Sequence, residues 1–251
     1  MSFQSLEAYE QVLDAIGFGV LDSSSFFRSR ITPDYFGNGE KGRVRILDED
    51  IDFYRGLESV IPGHVGFPDE PVSEFDYHTD IVHGRWAEWS FANGMPEAGS
   101  RLQRLMGERK LLSLSVFRGQ RLEPFINEEV ATLYLPHIKN ALLEIASYKG
   151  VKRNYKERHG RGTDGLQRHE DNDAITLAKG VALSFSYDVC FATGDSDAIR
   201  MNLILNRKMS YFARRYGYPI PEYRLDILFN YREGFAIITH DGKRIDLGVA
   251  A

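Results

Sequence analysis

Trp86-Ala-Glu-Trp89, Arg101-Leu-Gln-Arg-Leu-Met106, Leu111-Leu-Ser-Leu-Ser-Val-Phe-Arg118 and Pro124-Phe125 follow one another ahead of a helix-like run over 127–146. Read by hydrophobic period, the stretch alternates helix, strand and helix. Residues 111–118 are apolar nearly throughout, which predicts a central strand covered on both faces. Asn127 stands where an N-cap belongs, with Glu128 and Glu129 in the first turn, where negative charge favours the macrodipole. Val130, Leu133, Ile138, Ala141, Leu142 and Ile145 mark the core side of that helix. Pro136 lacks a backbone donor and is expected to kink or split it.

Working outward, Leu6, Tyr9, Val12, Leu13 and Ile16 fall at offsets of three and four, and predict a helix over 5–16 that Gly17 and Gly19 end. Residues 22–42 read as loop with short helical pieces, 43–47 as a half-buried strand and 48–56 as a short capped helix. Residues 61–74, rich in turn formers and acids, predict a long surface loop. Downstream, 148–174 hold few aliphatics, four glycines and dense charge, the composition of a linker of low order. A strand pair or buried strand is expected over 180–191. Asp195 or Ser196 should then cap a long helix over 197–216. Three short strands follow at 223–229, 234–240 and 244–247, the last two joined by Asp241-Gly242. The expected fold class is α+β: a domain over 1–147, a charged linker over 148–174 and a smaller α+β domain over 175–251.

Composition sets outer bounds. Of 251 residues, 43% are hydrophobic and 27% charged, as in globular chains that bury a core. The net charge of −5 is uneven: residues 151–251 hold 16 Lys and Arg against 13 Asp and Glu, the first 150 hold 15 against 23. An acidic sensory half and a mildly basic effector half fit this split. The first residues, MSFQSLEAYE, have neither the basic nor the apolar region of a secretion signal, and no apolar run approaches a membrane span. The single cysteine, Cys190, has no internal disulfide partner and reads as a small buried hydrophobe. A cytoplasmic protein without a membrane partner is expected.

Motifs with a known chemistry are missing: there is no GxGxxG after a strand, no GxxxxGK[ST], no HExxH and no CxxC pair. Gly37-Asn-Gly39-Glu-Lys41-Gly42 lacks the spacing of a phosphate loop and reads as a turn. Asp76, His78, Asp80 and His83 lie within eight residues, a spacing at which oxygen and imidazole ligands can hold a divalent cation or serve a hydrolase. A grouping by chance beside an acidic loop is the plainer reading, so no metal, cofactor or catalytic residue is assigned. His159, His169, Glu170, Asp171 and Asp173 fall in the linker and read as a solvated tether. Phe75, Tyr77, Trp86 and Trp89, with Phe91 nearby, form an aromatic concentration that suits a ligand-pocket wall or simple packing on a sheet. Arg200, Arg207, Lys208, Arg214 and Arg215 share a helix with Tyr211, Phe212 and Tyr216, and a hairpin with Lys243 and Arg244 follows. A recognition helix with a basic wing has this form, and so does an amphipathic helix with a solvated basic face.

The order of residues over 81–147 resembles the end of the GAF/PAS-like sensory domain of LuxR-type bacterial transcriptional regulators. The resemblance implies an N-terminal α/β/α sandwich that binds a small-molecule signal or a protein partner, often as a homodimer. In it, 111–118 form a core strand, Pro124-Phe125 opens the last helix and His137 packs. The aromatic and acidic set of the acyl-homoserine-lactone branch does not map onto this chain. The C-terminal part also departs from the family, with strands and one long helix in place of a four-helix DNA-binding module. The expectation is a cytoplasmic regulatory protein, ligand- or partner-responsive, whose C-terminal domain interacts with proteins or DNA. The alternatives are a hydrolase or nuclease built on an Asp/His cluster, and a non-catalytic adaptor.

Overall fold

Phe18-Gly-Val-Leu21 and Val189-Cys-Phe-Ala-Thr193 are short apolar runs without alternation, the pattern of strands covered on both faces. In the computed structural model, which describes residues 6–22, 24, 48–147, 163–231 and 234–247, these runs are neighbours. Strand β1 (Phe18–Leu21) pairs in parallel with β3 (Val189–Thr193) on one side and with the two-residue β2 (Val65–Gly66) on the other. Beyond β3 come β4 (Leu225–Tyr231), parallel to it, and then β5 (Gly234–Ile238) and β6 (Arg244–Asp246), both antiparallel. The order is β2-β1-β3-β4-β5-β6, a mixed α/β arrangement.

Helices cover both faces. Helices α1 (Leu6–Ala15), α2 (Asp48–Val60), α3 (Asp69–Tyr77), α4 (Gly84–Ala92) and α5 (Pro96–Leu112) bury one core with Leu21, Ala192, Leu228 and Phe235 of the sheet. Helices α6 (Leu135–Ala146), α7 (Thr163–Leu183) and α8 (Ser196–Tyr216) bury the other with Val20, Phe191, Leu225 and Ile227. Leu177, Phe191, Leu205 and Phe212 are fully buried there, and each side chain of this size contributes about 1.5–3 kcal/mol. Gly180 lets α7 lie close to the sheet, since a Cβ there would stand 3.2 Å from the Phe191 ring.

Several expectations meet their elements with small shifts in bounds: α1, α2, α8 with Asp195 as its N-cap, and the strands β4 to β6. Pro136 lies in the first turn of α6, just after a π-helical turn, Val130–Tyr134, so the long helix is split as its missing donor requires. The strand expected over 111–118 is corrected: α5 runs to Leu112 and continues as a π-helical turn, Ser113–Phe117. Leu105, Arg109, Leu112 and Val116 are buried at spacings of three and four, while Leu111 and Leu114 are more than 60% exposed. That is a helical stripe, and a short apolar run does not by itself separate the two states. The loop expected over 61–74 contains β2 and the start of α3. In the expected linker, 163–174 belong to α7, and 148–162 lie outside the described residues, as do 43–47. Strands from before 148 and after 174 share one sheet, so that boundary runs through the sheet.

Candidate functional site

In an open parallel sheet, the crevice for a ligand lies outside the carboxyl ends of the strands, where successive connections leave in opposite directions. Here that point is between β1 and β3, because the chain goes from β1 outward to β2 and returns to β3 on the other side. There β1 leads to Asp22 and Ser24, and β3 leads through Gly194 and Asp195 into the first turn of α8 with Asp197.

Asp22 is buried at the end of β1. Its Oδ2 accepts a hydrogen bond from Ser24 Oγ at 2.5 Å and another from Thr193 Oγ1 at 2.9 Å. The two hydroxyls are 2.9 Å apart. The backbone N–H of Gly194 donates to Ser24 Oγ at 2.9 Å, and that of Asp195 to Thr193 Oγ1 at 3.0 Å. This lattice ties the two strand ends together. Gly194 is required in it, since a Cβ would stand 2.8 Å from the Ser24 carbonyl oxygen. Asp195 caps α8 by accepting from the Asp197 N–H at 2.8 Å, and Asp197 is buried in the first turn.

Two more carboxylates approach from neighbouring helices, Glu74 from α3 and Asp173 from α7. Burial and the Glu74 charge push Asp22 up to about 6, against the lowering effect of its two hydroxyl donors. Asp173 is pushed well above the usual carboxylate range by burial and then by the charges of Asp22, Asp195, Glu74 and Asp197. The charges of Glu74 and Asp195 thus act on Asp22, and those of Asp22, Asp195, Glu74 and Asp197 on Asp173. Asp173 has no hydrogen-bond or ion-pair partner among the described residues. Nor, among those residues, do three or more His, Cys, Asp or Glu stand at the spacing of direct metal ligands.

Most of the residues singled out in the sequence lie away from Asp22 and Asp195, in separate contacts. Asp76 accepts from Ser113 Oγ at 2.6 Å and from Arg118 at 2.7 Å, and Asp80 pairs with Lys110 at 2.8 Å. His78 lies 4.0 Å from Glu74. His83 is buried, and its Nδ1–H donates to the His78 carbonyl at 2.7 Å. Burial and the nearby Arg109 charge press its pKa down to about 3, so it is a neutral structural imidazole. Phe75 and Trp86 are core residues, Phe75 lying 3.8 Å from the buried Arg109 guanidinium. Trp89 meets Trp86 edge to face, and Tyr77 is exposed. A groove of about 1040 Å³ lies at the opposite end of the sheet, lined by Tyr134, Phe185, Tyr187 and Arg224 among others.

Arg200, Arg207, Lys208, Arg214 and Arg215 are exposed on α8, within about a third of its circumference at 3.6 residues per turn. Arg200 pairs with Asp197 and Arg215 with Glu144. Lys243 and Arg244 are exposed on the β5–β6 hairpin, which reaches α8 where Asn206 Nδ2 donates to the His240 carbonyl at 2.7 Å. The basic stripe thus begins in the turn that holds Asp197. Asp22, Glu74 and Asp197 were not picked out from the sequence, Asp195 was read only as a cap, and Asp173 only as tether. The signal available was two buried strands each running straight into a Ser/Asp turn. Comparison with family models, with curated proteins and with solved structures returns no match.

Proposed function

We propose that this chain hydrolyses phosphodiester bonds of nucleic acid with the aid of a divalent cation held by Asp22, Asp173, Asp195 and Asp197. The observation that carries this reading is the gathering of acids at the switch point of the sheet, with Asp22 and Asp197 buried there and Glu74, Asp173 and Asp195 half-buried. A cation held by these acids would offset their charge, and would supply a water of lowered pKa and neutralise charge on a phosphate oxygen. The Ser24 and Thr193 hydroxyls fix the orientation of the Asp22 carboxylate, and Glu74 adds a fifth negative wall.

A polyanionic substrate fits the surroundings of the cleft. The exposed cations of α8 lead away from Asp197, in the manner of side chains that track a phosphate backbone. Tyr134, just before α6, packs edge-on against Phe185, just after α7, so the two helices are antiparallel and α6 ends near the level of Asp173.

The test is cleavage of an end-labelled single-stranded RNA or DNA oligonucleotide in Mg²⁺ or Mn²⁺. Cleavage is expected, with loss in chelator. Asp195→Asn should slow it by about a hundredfold or more, the loss of several kcal/mol of charge stabilisation. The α8 cations also favour a second reading, a regulator that binds nucleic acid without cutting it. Salt-sensitive binding with no cleavage under any divalent cation would select that reading over the hydrolase.

A further inference from the structure

We infer that the groove at the end of the sheet away from Asp22 is a binding site for a neutral oligosaccharide. Its volume of about 1040 Å³ stands at the top of the range for small-molecule sites, roughly 300–1,000 Å³, and leaves room for several sugar rings. Four segments meet to build it: the π-helical turn Val130–Tyr134, the turn from α7 into β3, the middle of α8 and the stretch that leads into β4. Internal contacts fix these walls. The buried Tyr223 hydroxyl donates to Asn202 Oδ1 at 3.0 Å, and Asn206 Nδ2 donates to the His240 carbonyl at 2.7 Å. Phe185 packs edge-on against Tyr134, with ring centres 5.7 Å apart. The groove is therefore preformed.

The lining selects the ligand. Tyr134 and Phe185, both half-buried, and the exposed Tyr187 bring three aromatic rings to the groove. Charges of both signs stand with them. Asp188 and Arg224 immediately precede Val189 and Leu225, the first paired residues of β3 and β4, so they reach the groove from adjacent strand starts. They form no ion pair with one another. Neither they nor the carboxylates of Glu129 and Glu222, which also line the groove, have a hydrogen-bond or ion-pair partner among the described residues. Three acids disfavour a polyanion such as a phosphate backbone, and Arg224 beside Asp188 disfavours a polycation. A chain without net charge meets neither penalty. A sugar ring has a C–H face that stacks on an aromatic ring, and an edge of hydroxyls that donate to carboxylates and accept from a guanidinium. A neutral oligosaccharide therefore uses every kind of group in the lining. The groove is remote from the acids at the switch point, so this inference does not depend on the hydrolase reading.

The experiment is an array of immobilised neutral, acidic and basic oligosaccharides probed with the labelled full-length chain, followed by calorimetry with the neutral oligosaccharide that binds best. Neutral oligosaccharides are expected to bind, and more tightly as the chain lengthens and successive rings fill the groove. Their affinity should stay within about twofold from roughly 0.05 to 0.5 M salt, because uncharged contacts are not screened. Tyr187→Ala and Arg224→Gln should each weaken binding by about tenfold, the loss of a stacked ring in one and of a charge-assisted hydrogen bond in the other. Tyr187→Phe, which keeps the ring, should stay within about threefold of wild type, a rescue that a general loss of structure would not produce. Binding confined to acidic or to basic glycans, or no binding at all, overturns the inference. So does neutral binding that both folded variants leave unchanged. Should Tyr187→Ala not fold, Arg224→Gln, an exposed change, decides alone.

Discussion

At the scale of single residues, Asp22 carries an electrostatic cost whose pH dependence can be tested. Its carboxyl moves from an ordinary 3.8 to about 6, which corresponds to about 3 kcal/mol between its protonation states. Because the folded pKa is the higher one, the folded chain holds this proton more tightly than the unfolded chain. That contribution to stability is complete below about pH 4 and is lost as pH rises through about 6. Asp22→Asn keeps the shape and removes the charge. In chelator at pH 8 it should raise the unfolding midpoint by roughly 5–10 °C, and at pH 4 it should change little. A midpoint at pH 8 that stays put or falls would sink the claim that burial makes this charge costly. Nothing in the local sequence marks Asp22, because its burial comes from residues far along the chain. His83 shows the converse: its neighbours in sequence suggested a ligand, and the helix turned it inward to a carbonyl.

At the scale of elements, legibility followed length and period. Helix α8 was read nearly whole because its cap, its αL glycine at Gly217 and its buried stripe all agree. Strand β1 was missed because four residues with a glycine at the second position resemble the end of a helix, and the two residues of β2 carry no period. Helix α7 was missed: its polar start read as linker, and its buried apolar end over 180–183 read as part of a strand. The helical reading of 105–117 has its own test. Leu111→Lys should cost within about 0.5 kcal/mol, as an exposed change, while Leu112→Ala should cost about 2–5 kcal/mol. Denaturant unfolding that found the two positions equally sensitive would favour the strand, in which 111 and 112 are both covered.

At the scale of the whole molecule, the sheet decides what can stand alone. β1 draws its pairing from β2 and β3, and Asp22 is tied to Thr193 across 171 residues. Local patterns identify elements but not which strands become neighbours, so the two-domain expectation and the missing cleft have one cause. Expressed separately, 1–147 and 175–251 should not give two cooperatively folding units, because each exposes a strand edge and half a core. Two sharp, independent unfolding transitions by circular dichroism would falsify the shared sheet.

The pairing of residue 22 with residue 193 also sets a schedule. During synthesis the first strand waits, with its acid at its end, while most of the chain is still being made. Closing so long a loop is among the last ordering events available to the polypeptide. A ribosome-bound fragment that stops short of β3 holds Asp22 and Glu74 but lacks Asp195 and Asp197. The acids at the two strand ends therefore come together only once β3 and the start of α8 have been made.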